Sequence, residues 1–333
     1  MSEVQIDKTK SRDNYWDTLK VMLIFLVVYG HIVTHYTNSN QLNTSIYNWI
    51  FLFHMPLFVF VSGRFSHIRD KNKYRKGILK IAETYIFFQF IRVFLRYLTG
   101  HGLNVIAALT SPSYTLWYLL CLIFWRLLAL FIGEDNMKKH CKLILSLSIL
   151  LCFLGGFIQT NIFSLQRFLS FLPFFVLGYY STMIDIKKYI KLAPRYITIS
   201  FLLLSFVILY LHFNSKITFL YGSQSFVKTT DCFYKMGLFL IQLLMCYCFL
   251  SIVPLNDKTL CKWGNTTLFV YLFHSFFTEK ITHLPLPSDC FSILIYSLIL
   301  TISLMWISRF SFSSFMLNPV SYIVDRITNR KIS

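Results

Sequence analysis

Charge is what this sequence has least of. Only 14% of its 333 residues are Asp, Glu, Lys or Arg, against roughly 25% in an ordinary soluble protein. Acidic residues are the scarcest, 14 against 32 basic. The eight cysteines form no paired CxxC spacing, only Cys246-x-Cys248, so neither a zinc site nor a disulfide framework is indicated. Cys232 and Cys290 fall in expected outward loops, where pairing or free thiols both remain open. No internal repeat or low-complexity linker divides the chain, and no groove-reading motif accompanies its net charge of +18, which argues against nucleic acid as a partner.

What fills the chain instead is apolar, 56% of all residues, with 18% aromatic. Runs of about 18 or more nearly uncharged residues recur, each long enough to cross a hydrocarbon core of about 30 Å as a helix. Ten candidate helices are predicted, at 17–36, 46–63, 78–98, 114–132, 142–160, 167–184, 196–213, 233–253, 266–282 and 290–309. The expected fold is an all-α integral membrane protein, a bundle of about ten transmembrane helices forming a single membrane-embedded domain over 1–333. Short tails cover about 1–16 and 310–333. The first apolar run follows a basic tail but lacks a small-residue cleavage site, so it is expected to be a retained helix.

Lys and Arg alternate between crowded and sparse from one connection to the next. The N-terminal tail with Lys8, Lys10 and Arg12, the loop from Arg64 to Lys76, Lys138 with Lys139, the Lys187 to Arg195 segment, Lys258 with Lys262, and the C-terminal tail with Arg326 and Lys331 share one side. The opposite connections, including the stretch from His283 to Asp289, carry few. By the positive-inside rule the basic side, with both termini, faces the cytoplasm and its anionic lipid.

Ionisable side chains at membrane depth are costly, and each is a candidate for function. Lys20 and His31 are eleven positions apart on the first helix, about three turns, so they share a face roughly 16 Å apart along the axis. Lys20 also reads as a snorkelling residue paired with Asp17, and His31 as a buried neutral histidine bonded to a neighbour. His54 lies in Phe53-His54-Met55-Pro56-Leu57-Phe58 and could serve the kink that Pro56 imposes. Arg64 follows at the cytoplasmic exit. Arg92, Arg96 and Arg167 read as interfacial anchors, Trp117 and Tyr118 as a belt or as platforms for sugar faces, and His274 as a core histidine or a third member of a polar cluster.

Asp17-x-x-Lys20, the run to Val28-Tyr29-Gly30-His31, and the Phe53 to Phe58 segment with Ser62-Gly63 resemble the signatures of the multi-pass acyltransferase 3 family, in the branch of fucose and other sugar O-acetylases of bacterial surface polysaccharides. Weaker correspondences run through Tyr74-Arg75-Lys76, Leu116-Trp117-Tyr118, Arg167-Phe168 with Leu172-Pro173, and Gly264-Asn265-Thr266 leading to His274, nearly the whole chain. Lys20 stands where many relatives carry arginine. The resemblance implies an enzyme of the bacterial inner membrane with no permanently bound cofactor and no metal, moving acetyl from acetyl-CoA onto a sugar hydroxyl of a polysaccharide or lipid-linked glycan. In that reading His31 and His54 are catalytic, Lys20, Arg64, Arg75 and Lys76 hold the CoA phosphates, and Arg167, Trp117 and His274 face the carbohydrate. The competing expectation is a glycan or solute transporter, for which no inverted repeat is visible.

Overall fold

A computed structural model describes residues 13–37, 40–100, 102, 104–160, 162–281 and 287–330. Lys8, Lys10, Arg12, Lys331 and the 283–286 part of the last outward stretch lie outside them. Every regular element among the described residues is helical, as a chain that must satisfy its backbone without water requires.

The principal helices are α1 (Asn14–Val33), α2 (Gln41–Arg64), α3 (Lys71–Leu98), α4 (Trp117–Ile132), α5 (Cys141–Leu154), α6 (Leu165–Tyr180), α7 (Arg195–His212), α8 (Thr230–Ile252), α9 (Thr267–Thr278), α10 (Cys290–Ile307) and α11 (Pro319–Arg330). Side-chain oxygens start several of them: Asp13 accepts from the Tyr15 amide, Asn40 from Asn43, Asp70 from Asn72 and Lys73, and Asp289 from Ser292. These satisfy amides that a helix's first turn leaves without a partner. Gly133, at φ 83°, ends α4, taking a positive φ that a side chain would disfavour.

Among the described residues seven helices are long and apolar enough to cross a membrane: α1, α2, α4 with its preceding turn, α6 with its preceding turn, α7, α8 and α10. Three of the ten expected segments are helical without meeting that description. α3 runs 28 residues but begins with a polar, charged stretch (Lys71, Lys73, Arg75, Lys76), and α5 and α9 are apolar but short.

α1 and α2 are the most enclosed spans, and the core is built on them, with Tyr15, Leu19, Leu23, Ile24, Phe53 and Leu57 fully covered. α2 crosses α6 at two reciprocal glycines. A Cβ on Gly63 would run into the carbonyl of Phe175, and one on Gly178 into the carbonyl of Phe60. Small residues at such crossings let backbones approach in a lipid setting, where packing supplies the attraction.

Candidate active site

Three cavities follow one another along α1 and α2. The first, about 1300 Å³, opens at the α1 N-terminus and α2 C-terminus; its walls include Asp13, Trp16, Asp17, Arg64, Phe65, His67, Arg69, Glu134 and Lys138. Phe65 also borders a second cavity of about 280 Å³ with Lys20, Ser62, Tyr118, Arg126 and Tyr271. Tyr271 in turn borders a third, about 170 Å³, with His31, His54, Tyr114, Trp117, Arg167 and Tyr221. The second and third adjoin where the Tyr118 and Tyr271 rings meet, their centroids 5.3 Å apart.

Lys20 is ion-paired with Asp17 at 2.6 Å, as the i, i+3 spacing anticipates, and its Nζ is 5.4 Å from the Phe65 ring. It still lines the second cavity. Arg64 lies over Trp16, 4.2 Å to the ring centroid, and donates to the Ser181 carbonyl and hydroxyl at 2.7 and 2.9 Å. Its guanidinium is thus held in place at the wall of the widest cavity. Arg75 and Lys76 are exposed on α3 and border none of the three. On an exposed helical face a Lys or Arg is solvated and has no reason to turn inward. In their place the second cavity has Arg126, whose Nε donates to Ser66 at 3.2 Å.

Glu134, in the connection after α4, gathers His67 at 2.9 Å, the Ile68 amide at 3.1 Å, Lys138 at 3.1 Å and the Tyr179 hydroxyl. Burial alone would raise its carboxyl, but these hydrogen bonds outweigh it and hold the pKa down at about 2.

At the inner end His31, on the last turns of α1, is partly exposed and faces the third cavity. Its Nδ1 lies 3.1 Å from the Tyr114 hydroxyl and its ring centroid 5.1 Å from that of His274. His54 and His274 are both buried. Nδ1 of His54 is 2.8 Å from the Ile50 carbonyl and Nδ1 of His274 is 3.1 Å from that of Val270. A carbonyl can only accept, so each Nδ1 carries a proton, and in the neutral ring Nε2 has the free lone pair. The His54 ring thus serves the Ile50 carbonyl; the carbonyl that Pro56 deprives of its helical partner belongs to Leu52. Nε2 of His274 is buried without a hydrogen-bond partner among the described residues.

Arg167 borders the same chamber: its Nε donates to the Tyr221 carbonyl at 3.2 Å, and its guanidinium is 5.1 Å from the Trp117 ring. Trp117 also stacks on Phe171, an internal position rather than a lipid-facing belt. The structure therefore groups His31, His54, His274, Trp117 and Arg167, places Lys20 and Arg64 along the approach, and leaves Arg75 and Lys76 outside. Among the described residues no group of three His, Cys, Asp or Glu is placed to hold a metal ion.

Arg92 is also not the interfacial anchor expected. It is buried, ion-paired with Glu279 at 2.8 Å, hydrogen-bonded to Ser275 and placed over the Tyr114 and Phe276 rings. Tyr114 and Arg126 escaped the sequence reading. Arg126 carried a usable signal, a cation inside an apolar run, whereas Tyr114 carried none, because its role depends on a turn that brings it to α1.

The family model for an acyltransferase domain matches residues 13–320, almost the full length of the chain. No curated protein and no solved structure matches it.

Proposed function

Because the chain belongs to this acyltransferase family, and is a multi-pass membrane acyltransferase, we propose that it transfers acetyl from acetyl-CoA to a sugar hydroxyl of a surface polysaccharide or its lipid-linked precursor. The observation that carries this reading is the placement of His31 in the last of three adjoining cavities that begin among charged side chains. In this reading both termini face the cytoplasm and the bilayer is the bacterial inner membrane.

The nucleotide of CoA occupies the wide first cavity, where Arg64, Arg69 and Lys138 offer cations to its phosphates. The pantetheine arm passes Lys20 and Arg126 and ends beside Tyr271. The rise from Lys20 to His31, roughly 16 Å at about 1.5 Å per residue, matches the reach of such an arm. An acceptor hydroxyl enters the chamber bounded by His31 and Arg167.

His31 removes the hydroxyl proton as the oxygen attacks the thioester carbonyl, the carbon–sulfur bond breaks, and the departing thiolate takes that proton from the His31 imidazolium, which restores the base. With a reference pKa near 6.5, imidazole is largely ready as a base at neutral pH. His54 lines the same chamber and the His274 ring lies beside that of His31. Trp117, packed between Phe171 and the Arg167 guanidinium, walls the sugar's place in the chamber.

The test is acetyl transfer from labelled acetyl-CoA into the glycan fraction of membranes containing wild-type protein or His31→Ala at equal abundance. Label with wild type alone is the expected result. Full incorporation by the variant would remove His31 from the mechanism, and no incorporation by either protein, from acetyl-CoA or other acyl-CoA donors, would remove the acyl transfer.

A further inference from the structure

Arg167 is a half-buried guanidinium in a membrane-spanning bundle, and among the described residues the chamber it borders has no Asp or Glu in its wall. Its one hydrogen bond among the described residues uses Nε. The Trp117 face offsets part of the cost of its charge, but a ring is a weak substitute for an anion in a low-dielectric site. The contrast with Arg92 is direct: that guanidinium has the Glu279 carboxylate at 2.8 Å.

A second cation approaches the same chamber. Lys216 donates to the Thr34 carbonyl at 3.0 Å, and Thr34 is part of the chamber wall. Its Nζ also lies 5.5 Å from the Tyr47 ring, and no carboxylate forms an ion pair with it among the described residues. The connections on this side of the bundle are poor in Lys and Arg, so one cation in the chamber wall and a second bonded behind it depart from the local pattern. Ionisable side chains inside a membrane bundle mark substrate or ion pathways, and a cation such as Arg167 that has no carboxylate beside it suits an anionic substrate.

Building on the acyl-transfer reading, we infer that the acceptor carries an anionic group close to the acylated hydroxyl, a sugar carboxylate or a glycosyl phosphate, and that Arg167 pairs with it. The planar guanidinium, held by Tyr221 and Trp117, leaves its two terminal nitrogens for a bidentate contact, which suits either anion. Lys216 adds a point charge at the rim.

The test uses full-length protein in liposomes, labelled acetyl-CoA and acceptors in matched pairs. One pair is a uronic-acid-terminated oligosaccharide and its carboxyl-reduced neutral form. The other is a polyprenyl-diphosphate-linked monosaccharide and the neutral alkyl glycoside of the same sugar. One charged acceptor should be labelled at least about tenfold faster than its neutral twin, and the pair showing the preference identifies carboxylate or phosphate. Arg167→Gln should bring charged and neutral acceptors to the same rate, with Arg167→Lys retaining part of the preference.

Equal labelling within both pairs, or a preference that survives Arg167→Gln, overturns the inference; a general loss of rate without change in preference would instead assign Arg167 to the reacting carbonyl. If no acceptor is labelled, thermal unfolding of the detergent-solubilised protein decides separately. Stabilisation of wild type but not Arg167→Gln by glucuronate or inorganic pyrophosphate, with none from glucose, sustains an anion site even where acyl transfer has failed. Failure of both anions to stabilise wild type overturns it.

Discussion

The Tyr114 hydroxyl lies 3.1 Å from Nδ1 of His31, joining the turn before α4 to the last turns of α1. Tyr114 holds a positive φ of 46°, unusual for a bulky residue, and Arg92 lies over its ring. If the His31 Nδ1 proton is donated to this hydroxyl, the lone pair is fixed on Nε2, the nitrogen left for chemistry.

Tyr114→Phe keeps the ring and its contact with Arg92 but releases the tautomer. Transfer should fall about tenfold, equivalent to about 1.4 kcal/mol, with the donor KM unchanged. A rate equal to wild type in the same vesicle assay would show that Tyr114 does not orient His31.

Lys20 and Arg64 should separate in their effects. Lys20→Ala removes a charge at the second cavity and should raise the apparent KM for acetyl-CoA while leaving kcat near wild type. Arg64→Ala should raise KM and also lower Tm, because Arg64 bridges Trp16 and Ser181. An unchanged KM in both variants would place the nucleotide elsewhere.

Gly63→Ala and Gly178→Ala each push a methyl group into a backbone carbonyl of the facing helix, which cannot rotate aside. Each should cost at least about 3 kcal/mol of stability, seen as early thermal inactivation and low abundance in the membrane. Near-native Tm for either would mean that α2 and α6 separate readily.

Glu134 gives a pH-dependent outcome. Its pKa falls from an ordinary 4.5 to about 2 in the folded protein. A depressed carboxylate contributes its full stabilisation above the unfolded value and loses it as pH falls toward the folded one. Glu134→Gln should therefore unfold earlier than wild type near neutral pH, by about 2 kcal/mol, and the gap should narrow from about pH 4.5 downward. A gap independent of pH across that interval would assign the effect to packing.

The sequence located helices where the structure has them because long apolar runs have few other conformations open to them in lipid. It also singled out His31, His54 and His274, since an imidazole in such a run is conspicuous, but left His274 open between a core histidine and a member of a polar cluster. What it missed depends on contacts between distant segments. Arg92 looked like an anchor because its partner Glu279 is 187 positions away, and Arg75 and Lys76 looked useful because basic residues near a helix start do not reveal which face they occupy. Tyr114 is one tyrosine among 20. Only the turn that folds it against α1 distinguishes it.

The glycine crossing of α2 and α6 also limits how the chamber can open. His54 is carried by α2 and Arg167 by α6, so a joint without room for a methyl group ties two of the chamber's walls into one rigid corner. Sliding that corner would drive backbone into backbone. Any widening of the chamber therefore falls to its lighter walls, the turn that bears Tyr114 and the connection that bears Tyr221, and cross-linking those two segments should slow acyl transfer without lowering Tm.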